Sequence, residues 1–198
     1  MFALCLLICG LWVQETIVRP DFPVRFERGG KWGYTNGQGE VIIKPRYLLA
    51  SDFTAGGIAA VVDSGGWLYI DRQGRELLRP FVLDNGPDYF VEDLARFVSN
   101  GKIGFFDRRG TAVIPAQFAF ALPFSEGRAA VCAGCKLKRD GEHFTPKGGK
   151  WGYIDPTGAV IIAIQFEQAE SFRNGRARVK SRRSWSVIDV QGRLSTAQ

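Results

Sequence analysis

With 198 residues, 13% of them aromatic, the chain can bury one substantial core. Its 24 Gly and 9 Pro suit frequent turns, and the scarcity of long helical patterns argues against a helical repeat. Lys and Arg number 26 against 20 Asp and Glu, a formal net charge of +6. Any Ser-His-Asp or Cys-His triad would have to use the single His, His143, and no nucleophile-elbow phrase is present.

The first element is apolar, Phe2-Ala-Leu-Cys-Leu-Leu-Ile-Cys-Gly-Leu-Trp-Val13, before Gln14-Glu15. It is too short for a bilayer span, which takes about 20 residues, but it fits the core of a secretory signal. No Lys or Arg precedes it, no Ala-x-Ala phrase follows, and Leu4 and Ile8 stand where a lipoprotein cysteine would need a small residue. The alternatives are a buried first strand or a misassigned start. Residues 1–19 are read as this leader and residues 20–198 as one repeat domain.

That domain repeats. Gly-Lys-Trp-Gly-Tyr occurs at residues 30–34 and again at residues 149–153. Anchors at Trp32, Trp67, Ile103, Trp151 and Trp185 are separated, by subtraction, by 35, 36, 48 and 34 residues. A period in the mid-thirties means one supersecondary unit used several times, here starting near residues 30, 65, 101, 149 and 183. Each anchor leads a short apolar strand that ends in Asn36, Asp71, Asp107, Asp155 or Asp189. Three residues later comes Gly39, Gly74, Gly110, Gly158 or Gly192. The Asx side chain bonds the turn backbone and Gly supplies positive φ, so a hairpin with a Gly bulge is expected at each. The turn geometry accounts for these acids without invoking calcium, whose Asp-x-Asp spacing is missing.

A second apolar run follows, as in Val41-Ile42-Ile43 and Val160-Ile161-Ile162, closing at Tyr47, Val82, Phe118 and Phe166. A loop marked by Phe53, Phe90, Phe124 and Phe172 leads to a third short run, such as Arg128-Ala-Ala-Val131. One unit therefore reads as three strands, the third turning tightly into the next Trp strand. Phe90, Leu94 and Phe97 also satisfy helical spacing, but the other copies align that window as strand. Trp32, Trp67, Trp151 and Trp185 are expected to face inward.

The Trp-Gly-Tyr-Ile-Asp phrase, the Gly three residues after the Asp, the Val-Ile-Ile step and the Phe-x-x-Gly loop resemble the WG (KWG) repeat family of bacterial β-rich proteins. The resemblance runs from about Arg25 to Leu194, with Leu68 and Ser186 in place of the small Gly and Ile103 in place of Trp. It carries no catalytic motif to transfer. The fold class expected is all-β: tandem three-stranded antiparallel units forming a continuous meander, either an elongated array or a closed barrel or pinwheel. Val24-Arg-Phe26 looks like a lone third strand, left by a missing repeat or completing the sheet of the last unit.

The 48-residue spacing marks an insertion at residues 132–148, holding Cys132-Ala-Gly-Cys135 and His143. A disulfide stapling a hairpin loop, a zinc site on Cys132, Cys135 and His143, and a thiol-redox pair all compete; a fourth zinc ligand and the helix start of a redox motif are not evident. Late in the chain Arg176, Arg178 and Lys180 alternate on one strand face, with Arg173, Arg182 and Arg183 beside them. That stripe suits an anionic partner or simply protects an edge strand. The expectation is a non-catalytic, cofactor-free interaction or structural module, exported to the periplasm or beyond, with a protein or envelope partner and no transmembrane span. The alternatives are a cytoplasmic, basic, nucleic-acid-binding array and a metal-binding module.

Overall fold

The computed structural model describes residues 22–83, 85–140 and 143–194, with residues 139, 140, 143 and 144 as backbone only. The apolar leader lies outside the described residues. No helix occurs among them, and every strand pairing is antiparallel.

Five hairpins form the skeleton. They are β1 (Val24–Arg28) with β2 (Lys31–Thr35), and, after β3 (Val41–Tyr47) and β4 (Leu49–Ala50), β5 (Ile58–Asp63) with β6 (Gly66–Asp71). Next come β7 (Glu76–Pro80), β8 (Val82–Leu83) and β9 (Gly86–Pro87), then the hairpin of β10 (Leu94–Ser99) with β11 (Lys102–Asp107). β12 (Ala112–Phe118) and β13 (Phe120–Ala121) lead into β14 (Ala129–Ala133). β14 pairs with β17 (Lys150–Ile154) across the inserted hairpin of β15 (Lys136–Asp140) and β16 (His143–Lys147). Last come β18 (Val160–Phe166), β19 (Gln168–Ala169) and the hairpin of β20 (Arg176–Ser181) with β21 (Ser184–Asp189). Thus the expected third strand does turn directly into the Trp strand, and β1 is simply the partner of β2.

Between hairpins, one extended arm serves two sheets. β3 pairs with β2, and one residue later β4 pairs with β5 of the next unit. β12 and β13 repeat the switch at Ala119, and β18 and β19 repeat it at Glu167. β7 makes it without a break: it pairs with β6 through Leu78 and with β10 through Pro80, fusing two units into the seven-stranded sheet. β3, β12 and β18 share one alternation, with the third and seventh residues buried: Ile43 and Tyr47, Ile114 and Phe118, Ile162 and Phe166.

The Gly of Trp-Gly has a packing reason. The arm bulges over it, so a Cβ on Gly104 or Gly152 would stand 2.5 Å from the Ile114 or Ile162 carbonyl oxygen. Leu68 occupies that position in the second unit and is itself buried. There the arm leaves the Trp strand early, and the displaced length forms the small β8–β9 hairpin. Val82 is therefore 49% exposed rather than closing an apolar run as expected.

The five turns are built alike. The Oδ1 of Asn36, Asp71, Asp107, Asp155 and Asp189 accepts from the backbone N–H groups two and four residues on. Gly39, Gly74, Gly110, Gly158 and Gly192 follow at φ from +76° to +89°. Three of these glycines lie against the arm isoleucine of the preceding unit: Gly74 on Ile43, Gly158 on Ile114 and Gly192 on Ile162. The core is continuous from the third unit to the fifth, with smaller clusters around Tyr34 and Phe106. No closed barrel forms among the described residues.

Candidate functional site

The first, third and fourth units each receive an aromatic side chain from the next. Phe53 stands edge-on to Tyr34 with ring centroids 4.9 Å apart, Phe124 to Phe105 at 4.8 Å, and Phe172 to Tyr153 at 4.9 Å. The Tyr34 and Tyr153 hydroxyls donate to the carbonyls of Ser51 and Glu170 at 2.7 and 2.8 Å, and burial pushes both phenols well above their ordinary range. Neighbouring loops are also stitched by carboxylates. Glu92 accepts from the Gly127 N–H at 2.9 Å, and Glu126 accepts from Asn174 and Gly175 at 2.5 and 2.8 Å. A Glu in a polar surface loop gives no signal of this in the sequence.

The second feature the sequence reading passed over is a buried ion pair. Arg96, 3% exposed, meets Asp88, 4% exposed, through Nε–Oδ2 at 2.7 Å and Nη2–Oδ1 at 2.8 Å. Its Nη1 donates to the Ala121 carbonyl of β13 at 2.8 Å, and the guanidinium lies 4.4 Å from the Phe81 ring centroid. The signal was present: Arg96 is the one charge inside the run Leu94-Ala-Arg-Phe-Val98. Arg25 in the first unit does the same, donating to the Ala50 carbonyl of β4 at 2.8 Å.

The insertion is a hairpin extension, as one sequence reading expected. Cys132 at the end of β14 and Cys135 just before β15 are joined to each other, close to the kink made by Gly134 and Gly149. Their sulfurs bond one another rather than standing apart as metal ligands. The His143 backbone pairs with Asp140 at the far end of the inserted hairpin, about 15 Å along it at the ordinary strand rise. Among the described residues no group of three or more His, Cys, Asp or Glu is placed to hold a metal ion.

The basic stripe forms as drawn. Arg176 and Arg178 are exposed and Lys180 half-buried on one face of β20, while Ala177 and Val179 are buried on the other. Arg182 and Arg183 make the β20–β21 turn with φ of +49° and +68°. Gly29-Gly30 and Asn100-Gly101 hold that place in the first and third units, so two arginines here carry backbone strain. The tryptophans correct the expectation of uniform burial. Trp151 is buried against Phe120, Trp32 and Trp67 are half-buried, and Trp185 is 40% exposed. Trp151 has the Phe120 ring packed edge-on to it, with centroids 6.1 Å apart, whereas Trp185 is flanked by the Arg178 guanidinium, 4.6 Å from its ring centroid.

Beside this stripe lies a cleft with a volume of about 580 Å³. Arg173, Arg176 and Arg178 ring it, and Leu122, Ala177 and Val187 give it an apolar lining. Glu170 at its wall is the one acid, 3.5 Å from Arg178. Such a cleft can take an apolar group flanked by negative charge.

This architecture defines a tandem β-hairpin repeat protein whose sheets share their arms. The family model for the WG containing repeat matches residues 32–67, 103–134 and 151–185, about half of the chain, and the chain belongs to that family. No curated protein matches it. One solved structure, described as a crystal structure of the eukaryotic initiation factor, aligns at 10% identity with a TM-score of 0.36, over 92% of this chain and 56% of that one. So distant a likeness carries no argument.

Proposed function

We propose that the chain is a non-catalytic interaction module, exported from the cell, that binds a protein or cell-envelope partner through its repeat surface. The observation that supports this reading is how its polar side chains are used. Asp71, Asp107, Asp155 and Asp189 each serve a turn, Glu92 and Glu126 serve neighbouring loops, and Asp88 serves Arg96. What varies from unit to unit is the exposed face, which on β20 carries Arg176 and Arg178. Repeat arrays of this kind build extended binding surfaces.

The Cys132–Cys135 pair supports an oxidising compartment, where such bonds persist. No helix among the described residues is long and apolar enough to cross a membrane. The test is fractionation of cells expressing the full chain, with alkylation of free thiols and crosslinking of bound partners. Oxidised cysteines in the extracytoplasmic fraction, crosslinked to protein, are expected. A reduced, cytoplasmic chain that copurifies with nuclease-sensitive nucleic acid would replace this reading with the basic-array alternative.

A further inference from the structure

We infer that the cleft of the fifth unit, open among the described residues, is an acceptor socket for an extended, acidic segment of a partner protein. The inference deepens the proposed reading of an interaction module and rests on it.

Register makes the equivalence. In the fourth unit Phe172 is seated against Tyr153, with the Arg128 guanidinium 5.3 Å from its ring centroid. Tyr153 pairs across the hairpin with Ala130, and Arg128 bridges to Ser125. In the fifth unit Val187 pairs with Arg178, and Arg176 bridges to Arg173. So Val187, Arg178, Arg176 and Arg173 stand where Tyr153, Ala130, Arg128 and Ser125 stand one unit earlier, and all four line the cleft. The space that Phe172 occupies in the fourth unit corresponds to this cavity. Replacing Tyr153 by the smaller Val187 leaves room for an aromatic or large aliphatic side chain.

Arg178 carries the second half of the argument. Arg25 and Arg96, at the same register position as Arg178, each donate to a carbonyl of the next short strand at 2.8 Å. Arg178 instead meets Glu170 at 3.5 Å and lies 4.6 Å from the Trp185 ring centroid, both at the surface. A third guanidinium is thus presented where two earlier copies grip an incoming strand. Between the fourth socket and the fifth, Ser125 becomes Arg173 and Ala130 becomes Arg178, so the occupant that fits carries carboxylates beside its apolar residue. A nucleic acid fits less well. Glu170 stands at the wall, and the lining of Leu122, Ala177 and Val187 offers a phosphate backbone nothing.

The probe is a labelled synthetic peptide copying residues 167–174, the arm segment that carries Glu167, Glu170 and Phe172. Its binding to the full chain is followed by fluorescence anisotropy at low salt. Saturable binding is expected, weakened about fivefold by Arg176→Ala or Arg178→Ala in the protein. Phe172→Ala in the peptide should weaken it about tenfold or more, because the buried ring supplies most of the apolar contact. Both arginines are exposed, so the variants should keep the parent's thermal midpoint, which is checked alongside. Absence of saturable binding, or binding indifferent to all three substitutions, overturns the socket. So does a single-stranded oligonucleotide that binds the same arginines more tightly than the peptide does. A chain that still crosslinks to protein with both arginines replaced would leave the module standing and remove only the socket.

Discussion

Replacing Asp88 by Ala strands the Arg96 guanidinium inside the protein. The carboxylate now accepts three bonds from Arg96: Nε at 2.7 Å, Nη2 at 2.8 Å and the backbone N–H at 3.1 Å. With Arg96 only 3% exposed, water cannot stand in for them without opening the packing around Phe81. Breaking a buried pair from one side costs about 3–5 kcal/mol. Set against a domain stability of about 5–15 kcal/mol, that is a large share. At a urea slope of about 1–3 kcal/mol/M, the midpoint should fall by about 1 M or more, read by tryptophan fluorescence. Asp88→Leu combined with Arg96→Met should recover most of the loss, since an apolar pair of similar volume needs no partners. The pair also ties together three sheets, because Asp88 follows the β8–β9 hairpin, Arg96 is on β10 of the seven-stranded sheet and Ala121 is on β13 of the four-stranded one. A midpoint within about 0.2 M of the parent for Asp88→Ala would refute the reasoning, as would a double variant no more stable than the single one.

Gly152→Ala should lose about 1–3 kcal/mol in a thermal melt, because its Cβ would press on the Ile162 carbonyl, the backbone of the bulged arm. Arg182→Asn with Arg183→Gly should raise the melting temperature, worth about 1 kcal/mol, by relieving two positive-φ arginines. Acid should destabilise the chain through its turns. Hydrogen bonds from Arg79 hold Asp63 below the usual carboxylate range, and the Thr157 side chain does so for Asp155. Burial pushes Asp71 and Asp189 up, but bonds from Arg75 and Arg193 outweigh it and leave both lowered. Depressed carboxylates contribute stability in full above their unfolded value of about 3.9 and lose it as pH falls through the folded one, so melting temperature should be flat at neutral pH and drop below about pH 4. Finally, Cys132→Ser with Cys135→Ser should leave the far-UV circular dichroism of the array intact, since the paired cysteines serve an inserted hairpin and the units bury their own cores.

Local chemistry was legible in the sequence. The Asx side chain and positive-φ glycine of each turn are set by residues within five positions of each other, so all five turns could be read from the chain. The Trp-Gly step was visible as a pattern, but its cause was not, because the atoms that exclude a Cβ at Gly152 belong to an arm ten residues on. Leu68 showed as a departure, yet its effect on the path of β7 depends on that same arm. Tryptophan burial depends on which unit packs above it, so Trp151 and Trp185 share a motif and differ in exposure. The cleft was the least legible part. Its basic residues lie in one run, but Leu122 comes from the preceding unit, and only the hairpin register aligns Val187 with Tyr153.

The sheet switch in each arm sets the sequence repeat out of phase with the folded unit. The match over residues 32–67 begins on β2, ends on β6 and divides its hydrogen bonds between two sheets. One repeat excised at those bounds holds two incomplete ladders, with little intrinsic stability of its own and most of its free energy in the junctions. In a one-dimensional chain of such elements, strong coupling and weak units make partly folded arrays rare. Unfolding should then behave like a zipper opening from its ends, with interior sheets such as that of β10 and β11 the last to exchange their amide hydrogens.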